Sequence, residues 1–193
     1  APTALDARTP EITFQVRWFG IITVRGTFAR VKGELTNGAP WPGVSIAAEA
    51  ASVTTGIALR DRHLRGPRFL HADAHPWIRF ESRNVRIEAG QLVIEGSLEL
   101  RGRTRPVRAS CPVDEWQRAG DSTRVCAHFT LSRTGHAVGM PDGLRRFNPM
   151  FLAIADDVHV CVRVLLPSAD VDRLGAVVQG ARPRAATGHD DST

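Results

Sequence analysis

The sequence predicts an all-β protein, a single antiparallel eight-stranded β-barrel with one short helix-and-loop segment capping it. Three observations carry that reading. Apolar and polar side chains alternate over eight separate stretches, the period of a strand with one buried face. Turn-forming residues such as Asn37-Gly38 and Gly102 separate these stretches at hairpin spacing, the pattern of an antiparallel barrel or sandwich. The stretch 57 to 76 breaks the alternation and has the composition of a short helix followed by a loop.

Taken in order, Ile12, Phe14, Val16 and Trp18 form one face of the first strand, against Thr13, Gln15 and Arg17. Ile21 to Lys32 reads as the second, with Gly26 permitting a bulge or sharp bend at its middle. Leu35 to Gly43, with Asn37-Gly38 and two prolines, is a loop. The third strand, Val44 to Val53, carries Ala47, Ala48, Ala50 and Ala51, which leave room around it. Ala58 to Arg65 has no β-branched residue and makes two turns of helix before Gly66-Pro67 stops it. Alternation resumes at Ile78, Phe80 and Ser82, slips phase near Asn84, and continues at Val85 and Ile87. Leu92, Ile94, Leu98 and Leu100 mark the fifth strand, and Gly102-Arg103-Thr104 turns into the sixth at Val107, Ala109, Cys111 and Val113. Val125 to Leu131 and Val158 to Val164 complete the set, joined by a long loop from Ser132 to Ala155. The chain therefore divides into an N-terminal extension (1–10), the barrel (11–167) and a mobile C-terminal tail (168–193).

A length of 193 residues suits one domain with tails. Apolar residues at 42% and charged residues at 23% exclude fibrous and fully disordered classes. The three cysteines, Cys111, Cys126 and Cys161, are widely spaced without a C-x-x-C pair, so neither a disulfide framework nor a zinc site is expected. That favours a cytoplasmic setting, as does the lack of a secretory pattern in Ala1 to Pro10; removal of a leader would make the chain extracytoplasmic. The net charge of +5 comes from arginines, with Lys32 the only lysine. Arg101, Arg103, Arg105 and Arg108 surround one hairpin turn; they read either as a solvated turn or as a transient contact for an anionic membrane surface. No aromatic residue stands beside them for base stacking, so nucleic acid is not an expected partner.

Several runs of residues resemble the YceI-like family of lipid-binding β-barrel proteins. They are Val24-Arg25-Gly26-Thr27-Phe28, Ala51-Ser52-Val53-Thr54-Thr55-Gly56 and Arg60-Asp61-Arg62-His63-Leu64-Arg65, then Pro67, Phe69 and His75-Pro76-Trp77-Ile78-Arg79-Phe80-Glu81-Ser82. Gly96-Ser97-Leu98-Glu99-Leu100-Arg101-Gly102-Arg103-Thr104-Arg105-Pro106-Val107 continues the series, with weaker echoes at Ser132-Arg133 and Asp157-Val158-His159-Val160. The likeness covers roughly residues 10 to 166 in family order. It implies a lipocalin-like barrel whose tunnel takes a polyisoprenoid or similar amphiphile as carrier, store or sequestering protein, with no catalysis. The family usually has a histidine where Trp18 stands and an aspartate where His71 stands, so ligand length or headgroup preference is expected to differ here.

An eight-stranded barrel is either filled by side chains or holds one small ligand. The inward sets mix large groups with small ones (Ala48, Ala50, Gly96, Ala109, Ala127), which favours space left over and leaves a filled structural or interaction barrel as the alternative. The expected ligand-binding wall is Phe14, Val16, Trp18, Phe28, Ile46, Ile78, Phe80, Leu98, Phe129 and Val160, with Leu64 and Phe69 plugging the apolar side of one mouth. At that rim, Arg60 or Arg65 would meet a polar head. The competing reading has Asp61 paired with Arg65 at helical spacing and His63 bonded to backbone, pinning the segment down. His63, His71, Asp73 and His75 do not make a metal site, because Pro76 and its neighbours interrupt any helix that would align them. Ser52, Ser132 and His128 form no nucleophile or acid-base motif, so neither enzymatic activity nor a cofactor is expected. An unpaired barrel edge or the 132–155 loop offers a surface for a homodimer.

Overall fold

The computed structural model describes residues 3–4, 10–36, 43–139, 153–169 and 171–172. The alternating stretches fold into one antiparallel sheet. Its strands are β1 (Thr3–Ala4), β2 (Glu11–Trp18), β3 (Ile22–Phe28), β4 (Val31–Thr36), β5 (Gly43–Glu49) and β6 (Val53–Thr54), followed after the helix α1 (Ala58–Arg65) by β7 (Trp77–Glu88), β8 (Gln91–Leu100), β9 (Arg103–Pro112), β10 (Gln117–Ala119), β11 (Ser122–Ser132) and β12 (Ile154–Pro167). Hydrogen bonding runs β1-β4-β5-β7-β8-β9-β11-β12-β2-β3-β6, with β10 appended to β11.

The expected eight strands become twelve among the described residues, for local reasons. The second predicted strand breaks at Ala29-Arg30 into β3 and β4, and the third breaks at the single 3-10 turn Ala50–Ser52 into β5 and β6. β1 and β10 are short additions that alternation does not reveal. The break at Ala50–Ser52 lets one run of chain serve two neighbours: β5 pairs with β4 and β7, whereas β6 pairs with β3. The turn thereby links β6, one end of the pairing order, to β5, the third strand from the other end.

Gly26 does not produce the expected bulge. The β2–β3 register runs unbroken from Ile12 opposite Phe28 to Trp18 opposite Ile22, and Phe14 faces Gly26 directly. The missing side chain is used for space, because a Cβ at position 26 would lie 2.3 Å from Phe14 Cζ. Gly96 does the same for the Phe80 ring, at 2.7 Å. The phase slip near Asn84 is a register shift between Ser82 and Asn84.

Cys126 and Cys161 form a disulfide between β11 and β12, with a Cα–Cα separation of 6.3 Å, contrary to the expectation drawn from their spacing. The 35 residues between them in sequence say nothing of a strand register that makes them diagonal neighbours. Cys111 is free and buried.

Two buried clusters hold the sheet. One gathers Ala50, Val53, Leu70, Ala72 and Leu100 beneath α1 and the following loop. The other gathers Leu92, Cys111 and Val125. Leu92 and Leu100 lie at opposite ends of β8, so at about 3.3 Å per residue the clusters are roughly 26 Å apart along that strand. The expected tail beyond residue 172, most of the N-terminal extension, the 37–42 loop and residues 140–152 of the long loop fall outside the described residues.

Candidate functional site

Between the two clusters the interior is open: a cavity of about 1360 Å³ runs through the sheet, well above the volume of an ordinary small-molecule pocket. The filled-core alternative therefore does not describe this interior. The space follows from alternation, which sends every second side chain inward, and from the small residues Ala48, Ala109 and Ala127 among those that line it. All twelve side chains read from the sequence as the wall line the cavity: Phe14, Val16, Trp18, Phe28, Ile46, Leu64, Phe69, Ile78, Phe80, Leu98, Phe129 and Val160. Phe14 and Phe28 pack with ring centroids 5.8 Å apart, tilted by 48°.

Of the four rim residues named from the sequence, Arg60 and His63 line the cavity, whereas Asp61 and Arg65 do not. The physical reason is that α1 turns those two toward the strand it packs on. Asp61 is 6% exposed and accepts hydrogen bonds from Thr55 N (2.7 Å), Thr54 Oγ1 (3.0 Å) and Thr55 Oγ1. Arg65 Nη2 donates to the Val53 carbonyl at 3.1 Å, so the expected i, i+4 ion pair gives way to contacts with β6 and the residue after it. Burial alone would raise the Asp61 pKa, but the hydrogen bonds from Thr55 and Thr54 and the nearby Arg65 charge outweigh it and hold the carboxyl below its ordinary range. Arg60 donates to Thr55 Oγ1 at 2.7 Å and to the Thr55 carbonyl at 3.0 Å.

The polar side chains of the lining are Arg60, Arg62, His63, Arg68 and Arg133; among the described residues no carboxylate, hydroxyl or thiol side chain lines it. They gather at one end. α1 supplies the first three, the loop after it supplies Arg68, and the Arg68 carbonyl accepts from Gly139 N, next to the Val138 carbonyl that Arg133 holds. Arg133, which sequence reasoning missed as a site residue, is 6% exposed and also donates to the carbonyls of Ala155 and Ile154 at 2.9 and 2.8 Å. Its signal was present only as the Ser132-Arg133 echo, because nothing in the sequence shows that three carbonyls from two segments converge on it.

Phe19, Ile21, Ile22, Ile57 and Leu59 are the exposed large apolar residues among those described, with Ile21 85% exposed. Phe19 and Ile21 belong to the β2–β3 turn, and their neighbour Trp18, like Ile57 and Leu59, lines the cavity. An apolar lip thus borders the opening.

Three of the four arginines around Gly102 make intramolecular contacts. Arg101 donates to the carbonyls of Pro67 and Ala137, Arg105 to that of Gly135, and Arg108 pairs with Glu88 and Glu95.

A family model described as the YceI-like domain matches residues 4–166. Protein YceI of Salmonella arizonae and Protein YceI of Salmonella paratyphi B are each 33% identical to the chain over 119 residues, 56% of this chain and 62% of theirs. The chain thus spans a little under two thirds of the length of the curated relatives it matches. Among solved structures, BcnA of Burkholderia cenocepacia superposes with a TM-score of 0.69 at 14% identity, covering 81% of this chain and 95% of that one. A polyisoprenoid-binding domain from Saccharophagus degradans superposes with a TM-score of 0.62 at 13% identity, covering 84% and 95%. At such identities these two likenesses speak for the fold.

Proposed function

Because the chain belongs to the YceI-like family, we propose that it binds one long apolar or amphipathic molecule, a polyisoprenoid or related lipid, inside its barrel. It acts in this reading as carrier, store or sequestering protein, without catalysis. The observation that carries the proposal is the apolar cavity whose lining cations, among the described residues, gather at one end. Burying an alkyl or prenyl chain is worth about 0.8 kcal/mol per methylene, against a cost of at least about 4 kcal/mol for the ligand's lost freedom. Long chains are favoured over short ones for that reason. In this reading the polar head belongs at the α1 end, where Arg60, Arg62 and His63 line the cavity. The absence of a lining carboxylate or nucleophile among the described residues supports a binding role over a catalytic one.

In the same reading the ligand is exchanged at a membrane, and the lip made by Phe19, Ile21, Ile22, Ile57 and Leu59 is the part that touches it. Exposed contiguous apolar side chains mark such contacts, and Arg17, Arg60 and Arg62 nearby suit an anionic surface. In this reading membrane contact is made at the cavity mouth and not at the Gly102 hairpin.

Native mass spectrometry of the purified chain, followed by organic extraction and lipid mass analysis, tests the binding proposal. A stoichiometric apolar species released by solvent is the expected result. A clean apo mass with no uptake from a mixed prenyl-lipid pool would overturn it.

A further inference from the structure

The outer face of β11 and β12 carries a second constellation, on the side away from the cavity. Ala127 and Phe129 line the cavity, so the alternate residues Cys126 and His128 point outward; on β12, Val160 and Val162 face in and Cys161 faces out. The register sets His128 directly opposite Cys161, with Cys126 on the adjacent diagonal. The two sulfurs and a ring nitrogen of His128 lie within 4.8 Å of one another. Glu115 Oε2 stands 4.0 Å from His128 Nε2, beyond hydrogen-bond length but close enough to add negative charge beside the site. His159, two pairs further along and on the same face, is turned toward the Thr130 hydroxyl, with Nδ1 3.0 Å from it.

We propose that Cys126, Cys161 and His128 form a metal site for zinc or a similarly soft divalent ion when the two sulfurs are reduced, and that the disulfide is the metal-free state of the same site. Two thiolates and one imidazole are a borderline-soft donor set of the kind zinc selects. Because His128 is exposed, the fourth tetrahedral position is open to water. Tetrahedral zinc with bonds of about 2.3 Å to sulfur needs the two sulfurs roughly 3.7 Å apart, which breaking the Sγ–Sγ bond and rotating the two side chains provides. A dithiol reductant supplies two electrons and two protons; the Sγ–Sγ bond breaks and the reductant leaves as its own disulfide. The metal then displaces the two thiol protons to solvent. Bond formation and metal binding compete for the same two sulfur atoms, so the site holds the ion in a reducing environment and gives it up when a disulfide or peroxide oxidant closes the bond. The site lies on the opposite face of the sheet from the cavity and is independent of the ligand the cavity takes.

The experiment uses the full chain, reduced with a dithiol and desalted without oxygen, and titrates it with Zn²⁺ against a chromophoric chelator and with Co²⁺ alone as a spectroscopic probe. The reduced chain is expected to take up about one ion and to show the near-ultraviolet thiolate-to-Co²⁺ charge-transfer band; the oxidised chain is expected to show neither. Cys126→Ser should lower Zn²⁺ affinity and cut the band to no more than about half, because one of the two thiolates is lost. His128→Ala, on an exposed ring, should keep the fold by thermal melting and weaken Zn²⁺ binding at least about tenfold. A reduced wild-type chain without the band, an oxidised chain that binds equally well, or a Cys126→Ser chain of undiminished affinity would each overturn the proposal.

Discussion

The ring of Phe14 lies across the backbone of Gly26 on the paired strand, where a Cβ would come within 2.3 Å of Phe14 Cζ and 2.9 Å of Thr55 Cγ2. Gly26→Ala therefore has to push Phe14 into the cavity or spread β2 from β3. Overpacking of this kind costs about 1–3 kcal/mol, which urea unfolding should register as a lower midpoint. Since Phe14 is also a wall residue, the substitution should reduce ligand uptake together with stability; an unchanged midpoint would show that the ring moves freely.

Filling the cavity separates uptake from stability. Ala109 is 6% exposed and lines the cavity, so a larger side chain grows into the void. Ala109→Phe should leave the melting temperature unchanged or raised, while the lipid recovered by extraction falls at least about tenfold, a difference of some 1.4 kcal/mol. Full recovery of lipid from a folded variant would place the ligand elsewhere.

The lip predicts a loss confined to membranes. Phe19 is 60% and Ile21 85% exposed, so changing both to serine removes little that folding depends on. Partition onto anionic vesicles should fall by at least about tenfold, since each buried aliphatic or aromatic side chain contributes about 1.5–3 kcal/mol. Sedimentation with vesicles unchanged from wild type would remove the lip from the function.

Asp61 predicts a pH dependence of defined sign. Its carboxyl ionises at lower pH in the folded chain than in the unfolded one, so its stabilisation is fully present above the ordinary carboxylate range and disappears as pH falls through the folded value. Asp61→Ala should destabilise by about 2–3 kcal/mol at neutral pH, and the gap from wild type should narrow in acid. Asp156, held by Ser132 and Thr134 in the same manner, should contribute with the same sign. A gap that stays constant from neutral to acid pH would mean that the charge on Asp61 does nothing.

The sequence was most informative where one strand's geometry settles a side chain's direction. Phe14, Val16 and Trp18 alternate, and alternation alone sends them inward. The helix was equally legible, because Gly66-Pro67 ends it whatever surrounds it. Legibility failed where the answer lies on another strand. Asp61 and Arg65 have the spacing of an ion pair, but Thr54 and Thr55 outbid Arg65 for the carboxylate. Cys126 and Cys161 look unrelated until the β11–β12 register sets them side by side. Gly26 read as a bend, whereas its role is to leave room for a ring on its neighbour.

The two buried clusters sit at the ends of the barrel, and between them the wall residues face empty space on their inner side. Apolar groups beside a void lack the dispersion contacts that a packed interior supplies. On the proposed function, a bound apolar chain would supply those missing contacts and so become part of the hydrophobic core. Loading and consolidation of the interior become the same event, and the folded state gains in proportion to the logarithm of how far free ligand exceeds its dissociation constant. On the proposed function, ligand binding and packing of the interior are therefore thermodynamically coupled.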